Sequence, residues 1–120
     1  MARMLFHCTH GADDPERAIV PFIAANVAAV SGQEAVVLLT IEGAWLCRRG
    51  DAEEISLDGF PPLSQLIKDF VEAGGEIWGC GACTTPRGIT EDQLVPGARI
   101  VGAAMIVEAV AKGAIPVALG

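Results

Sequence analysis

Four cysteines and two histidines carry the reactive chemistry of this 120-residue chain. Two of the thiols, Cys80 and Cys83, form a C-x-x-C pair within GCGACTTPRGI, Gly79 to Ile89, with Pro86, Arg87 and Gly88 just beyond. Two thiols so spaced can bind zinc, exchange disulfides, carry sulfur or fill a core. A C-x-x-C at a strand-to-loop junction, near the start of a helical turn, lowers one thiol pKa through the partial charge of the helix N-terminus and a nearby cation. Arg87 is the cation expected here, and the thiolate it favours is the nucleophile of both disulfide exchange and persulfide transfer. The opposing reading is plain packing, because free cysteine is often buried as a small hydrophobe.

The other two thiols stand alone. Cys47, in AWLCRRG, adjoins Arg48 and Arg49, cations suited to a thiolate or an anionic sulfur species. Cys8 follows LFH and reads as core packing near a strand end. His7 and His10 flank it, and either can carry a proton. Trp45 and Trp78 read as packing residues, and Glu42–Gly43 as a turn cap or pocket lining. Structural zinc sites usually show two close ligand pairs, and here only one exists, so no metal is expected. A thioredoxin-type chain opens a long helix with its C-x-x-C after an early strand. Here the pair comes late and runs into a Pro-Arg-Gly turn, which disfavours that fold without excluding a Cys80–Cys83 disulfide.

The elements that must position these groups alternate along the chain. Arg3–Thr9 reads as a strand. The following segment reads as a helix, with Asp14 as N-cap, Pro15 in the first turn, and Ile19, Phe22, Ile23, Val27 and Val30 at helical spacing up to Gly32. Pro21 inside it predicts a kink or a late start. Glu34–Ile41 is a continuous apolar run, the pattern of a strand covered on both faces. The segment from Glu42 to Pro62 is irregular, with a helical turn around Trp45–Arg48. Pro62–Gly75 is an amphipathic helix with a stripe of Leu63, Leu66, Ile67, Phe70 and Val71. Glu76–Cys80 is a short strand that runs into the thiol pair. Thr90 and Gln93 have capping-box spacing around one turn of helix. A strand at ARIVG, a helix at AAMIVEAVAKG and a strand at AIPVAL complete the order.

Such alternation predicts one α/β domain over residues 1–120: a mainly parallel sheet with helices on both faces and ligands at the carboxyl ends of the strands. The residues just past those ends are His7–His10, Glu42–Cys47 and Cys80–Arg87, a set that takes in all four cysteines.

Composition narrows the function. The chain is 52% hydrophobic, an apolar content that suggests surface hidden in an oligomer. Net charge is −7 and the eight Lys and Arg form no run, so nucleic-acid binding is not expected. The first residues lack the apolar run of a signal peptide, and no apolar run reaches the roughly 20 residues that span a bilayer. A cytoplasmic location is expected, without a membrane partner, and there four cysteines point away from structural disulfides.

CGACTTPRGI together with TEDQLVPGARIVGAAMIVEAV resembles the DsrE/DsrF-like family of small sulfur-relay proteins, and the likeness extends to the first strand and helix. The resemblance implies a three-layer α/β/α, flavodoxin-like fold with a five-stranded sheet, and a homotrimer or homohexamer. It also implies a cytoplasmic sulfur carrier or sulfurtransferase that takes sulfane sulfur as a cysteine persulfide and passes it on. Donor and acceptor are proteins or small sulfur species, and no cofactor is implied. The family's active cysteine lies eight residues before the Gly of its RG pair, which is Cys80 relative to Gly88 here. Cys83 is then a second carrier or resolving thiol. Gly81 and Ala82 supply loop amides, Arg87 stabilises the anion, and Cys47, Arg48 and His10 are expected to line the pocket. Two other functions fit the same residues: a non-catalytic binding oligomer, and a thiol-disulfide switch using Cys80 and Cys83.

Overall fold

The computed structural model describes residues 2–119. Five strands form one sheet: β1 (Arg3–Cys8), β2 (Glu34–Leu39), β3 (Glu76–Cys80), β4 (Ala98–Val101) and β5 (Ile115–Ala118). Four α-helices connect or follow them: α1 (Pro15–Val30), α2 (Leu63–Glu72), the short α3 (Gly81–Thr84) and α4 (Ala103–Ala111). The strand order is β4-β3-β2-β1-β5, and every pairing is parallel.

This order dictates the layers. The steps from β1 to β2, β3 and β4 all run the same way, so right-handed crossovers place their connections on one face. The step from β4 to β5 runs back across the sheet and carries α4 over the other face. The residues sort accordingly. Phe6, Val37, Leu39 and Ile77 point into a large core with Ile19, Phe22, Leu63, Ile67 and Phe70 of α1 and α2. Their strand neighbours Leu5, Val36, Leu38, Trp78 and Val101 point the other way, into a small core with Met105, Ile106 and Ala109 of α4. Phe22 and Phe70 join α1 to α2 edge to face, with ring centroids 6.1 Å apart.

Local chemistry sets the element ends. The Asp14 carboxylate accepts from the Arg17 backbone N–H, and Pro15 sits in the first turn. α1 therefore starts where its cap predicts, and Pro21 is accommodated inside it rather than delaying it. Thr90 and Gln93 make the reciprocal capping box around a single 3-10 turn, Glu91–Gln93. Part of the irregular segment is also 3-10 helix, over Ile41–Cys47 and Ala52–Glu54. Two glycines let that segment press on the β1–α1 loop. A Cβ on Gly11 would stand 2.8 Å from the Glu42 carbonyl oxygen, and one on Gly43 would collide with the Cys8 carbonyl.

Candidate functional site

β3 and β4 leave the sheet toward opposite faces, which makes their carboxyl ends the switch point at which open α/β sheets place ligands. Cys80 ends β3 at this switch point. Its register partner is Val101, the last residue of β4, and α4 opens two residues later with Gly102 as an N-cap that has no side-chain cap. Strand alternation puts Cys80 on the α4 face with Trp78, and it is 9% exposed. Cys80 is also the N-cap of α3, so the N–H groups of Gly81, Ala82 and Cys83 lie in the first turn, where they lack intrahelical acceptors. Cys83 occupies the third position of that turn and is half-buried against the large core. All four cysteines are free thiols.

Arg87 lies beside the thiol turn and bonds across it to the 3-10 segment. Its Nε and Nη2 donate to Glu42 Oε2 at 3.1 and 2.9 Å, and its Nη1 donates to the Cys83 carbonyl at 3.1 Å. Trp45 Nε1 donates to the same Glu42 oxygen at 3.1 Å. Arg87 thus braces the thiol turn against the 3-10 segment. The brace spans residues far apart in sequence, which is why the spacing of CGACTTPRG alone does not reveal it. Gly88, at φ 69°, turns the chain in the left-handed region straight after it.

Cys8 and Cys47 belong to the core. Burial pushes each thiol up to about 11. Cys47 Sγ donates to the Ala44 carbonyl at 3.1 Å and sits over Gly79, where an added Cβ would stand 3.1 Å from the sulfur. Cys8 Sγ donates to the His10 carbonyl at 3.4 Å. Arg48 lies over the Trp45 ring, 4.6 Å from its centroid, and its Nε donates to Asp51. It also lines a cavity of about 530 Å³ between α2 and the Gly50–Glu53 segment, which neither Cys80 nor Cys83 lines. The His10 ring bonds to Asp13 Oδ2 at 2.8 Å. The structure therefore brings Cys80, Gly81, Ala82, Cys83 and Arg87 together at one strand end, and gives Cys47, Arg48 and His10 partners of their own. Among the described residues, no group of three or more His, Cys, Asp and Glu is placed to hold a metal ion.

The raised thiols make a stability prediction. A buried group that holds its proton above the ordinary pKa favours the folded state while the unfolded thiol is also protonated. That advantage is present below about pH 9 and is lost as pH rises toward 11. The free energy of unfolding from urea titrations is expected to fall across this window, by on the order of 2 kcal/mol per thiol, and the midpoint with it. A flat midpoint from pH 8.5 to 11 contradicts the assignment of Cys8 and Cys47 as protonated core residues.

Thr40, just past the end of β2, was not singled out by sequence reasoning. Its hydroxyl lies 2.7 Å from His7 Nε2. Only the strand register shows which face it occupies.

Comparison with known proteins places these features in a family. The family model described as DsrE/DsrF-like family matches residues 2–115. The uncharacterized protein MJ0760 of Methanocaldococcus jannaschii is 32% identical over 95 residues, which is 79% of this chain and 34% of that protein. The chain thus matches about a third of that relative's length. The uncharacterized protein MK0008 of Methanopyrus kandleri is 29% identical over 85 residues, 71% of this chain and 67% of its own. Among solved structures, the YchN protein of E. coli superposes with a TM-score of 0.83 at 14% identity, covering 99% of this chain and 100% of that one. The protein of unknown function MTH1491 of Methanobacterium thermoautotrophicum gives 0.79 at 18% identity, again with 99% and 100% coverage. At these identities the two structures speak for the fold.

Proposed function

The chain belongs to the DsrE/DsrF-like family, and from that premise we propose that it is a cytoplasmic sulfur carrier or sulfurtransferase which holds sulfane sulfur as a persulfide on Cys80. The observation that carries this reading is the placement of Cys80 at the carboxyl end of β3, where the exits of β3 and β4 diverge. The thiol there lies beside the open first turn of α3 and the start of α4. Both helix starts present N–H groups that favour negative charge. Arg87 supports the site by fixing the turn, through Glu42 and the Cys83 carbonyl.

The reaction is a transfer without net redox change. The Cys80 thiolate attacks the outer sulfur of a persulfide donor, the new S–S bond forms at Cys80, and the donor thiolate leaves with the electron pair of the broken S–S bond. Transfer onward is the same step with the acceptor thiolate attacking. Incubation with inorganic polysulfide followed by intact-protein mass spectrometry tests this. The carrier gains whole sulfur atoms and gives them up to cyanide as thiocyanate. A chain that gains none contradicts the reading.

A second reading has its own geometric support. Cys80 and Cys83 are the N-cap and third residue of α3, one turn apart on the same short segment, and both are free thiols. A thiol-disulfide switch there predicts a reversible loss of two hydrogens on mild oxidation, with a measurable reduction potential.

The carrier is proposed to work as a homotrimer or homohexamer. α4 is apolar apart from Glu108, Val107 and Val110 on it are 67% and 42% exposed, and Ile115 on the edge strand β5 is exposed as well. Light scattering should show the assembly reduced to monomer in Val107→Asp/Val110→Asp. An unchanged mass would move the interface elsewhere. Among the described residues, no helix is long and apolar enough to cross a membrane.

A further inference from the structure

We propose that Thr40 and His7 position and deprotonate Cys80: His7 orients the Thr40 hydroxyl toward the sulfur, and the pair takes its proton. This rests on the reading of Cys80 as the sulfur-bearing thiol, and it adds two positioning residues that the loop motif does not contain.

The placement follows from register. Leu39 pairs with Gly79, so the next level across the same two strands holds Thr40 and Cys80. Thr40 continues β2 in extended conformation, at φ −128° and ψ 164°, and its N–H still bonds to the Cys8 carbonyl of β1. Leu38 faces the small core beneath α4 and Leu39 the large one, so Thr40 shares Leu38's face. Cys80 shares the face of Trp78 in the same way, and His7 that of Leu5. Adjacent strands stand about 4.8 Å apart, which places Thr40 beside Cys80, while His7 is level with Leu38 on β1 and reaches Thr40 diagonally from the strand beyond. The bond of 2.7 Å between His7 Nε2 and Thr40 Oγ1 confirms that these two share a face.

Two further features fit. Ile41, the next residue, is β-branched and sits at φ 56°, an outlier that ends β2 abruptly beyond Thr40. The His7 ring is exposed as a whole, yet partial burial lowers its pKa, which keeps it neutral near pH 7. A neutral ring that carries its proton on Nδ1 accepts the Thr40 hydroxyl proton at Nε2.

The step balances as a proton transfer. The Cys80 S–H bond breaks and its proton goes to Thr40 Oγ1, while the Thr40 hydroxyl proton goes to His7 Nε2. The products are a thiolate and an imidazolium, which releases its proton to water from the exposed ring. No electrons are exchanged.

The test uses the full chain with Cys83→Ser, so that Cys80 is the least buried thiol left and the one that reports. Iodoacetamide alkylation and polysulfide loading are measured side by side. Thr40→Val, which keeps the shape and removes the hydroxyl, is expected to slow both by at least about tenfold, and Thr40→Ser to restore them to within about twofold, at an unchanged melting temperature. Should Thr40→Val fold poorly, His7→Phe on the exposed ring is expected to show the same loss. Alkylation as fast in both variants as in the parent overturns the proposal. The two readouts keep the claims separate. Slowed alkylation with no sulfur uptake by any form retains the proton path and removes the carrier function. Unchanged alkylation with normal uptake does the reverse.

Discussion

Cys80→Ser is expected to remove nearly all sulfur uptake and to leave the fold intact. The change removes the nucleophile from a site that is 9% exposed while keeping nearly the same volume, so packing costs are small. Uptake from polysulfide is expected to fall at least about a hundredfold, because no other thiol can take over at the same place. Cys8 and Cys47 are buried and hold their protons up to about pH 11. Cys83 is the more accessible neighbour, half-buried in the first turn of α3. Cys83→Ser is therefore expected to retain uptake if it is a second carrier, and to lose only onward release or oxidation to a disulfide. Intact mass after polysulfide treatment reads both variants. A Cys80→Ser chain that loads like the parent removes Cys80 from the role.

Gly43→Ala is expected to cost about 3 kcal/mol or more, a fall in melting temperature on the order of 10 °C. The added methyl would be driven into the Cys8 carbonyl and would stand 3.0 Å from that carbonyl's carbon and 3.3 Å from the His10 amide nitrogen. All three are backbone atoms of the β1–α1 junction, so no flexible side chain can yield. The effect should reach the thiols. Glu42, the residue before Gly43, anchors Arg87, and Arg87 holds the Cys83 carbonyl. Differential scanning calorimetry with Cys83 alkylation rates is the measurement. A melting temperature within 2–3 °C of the parent, less than about 1 kcal/mol, would mean that the two segments do not press together as described. Gly32→Ala is a useful contrast: it is strained by its φ of 88° but meets nothing within 4 Å.

How far the sequence foretold this molecule depends on the range over which each determinant acts. Asp14–Pro15, the stripe of Leu63 to Val71 and the Thr90–Gln93 box act within a few residues, and each element formed where these signals place it. The alternation of strands and helices was equally readable, and the sheet is parallel throughout. The strand order was not readable. It depends on the long β4–β5 crossover returning past three strands, and it differs from the flavodoxin order 2-1-3-4-5. That order puts the switch point of the sheet at Cys80.

The site was legible to the same extent. Cys80 and Cys83 announce themselves by spacing. Arg87 was correctly placed near them, but its partner Glu42 is 45 residues away, so its role as a brace had no local signal. Arg48 beside Cys47 looked like a thiolate partner in the sequence. The 3-10 turn instead aims it at Trp45 and Asp51. Thr40 sits at the end of an apolar run and looks ordinary until register sets it level with Cys80.

The central claim is that sulfur resides on Cys80, and fragmentation of one peptide tests it most directly. Trypsin cleavage after Lys68 and Arg87 releases Asp69–Arg87, which contains both Cys80 and Cys83 and neither of the other cysteines. The wild-type chain is treated with polysulfide, and its persulfides are trapped by alkylation before digestion. The trapped sulfur is expected to map to Cys80 within this peptide, with Cys8 and Cys47 unmodified. Sulfur confined to Cys83, or to the peptides carrying Cys8 or Cys47, contradicts it.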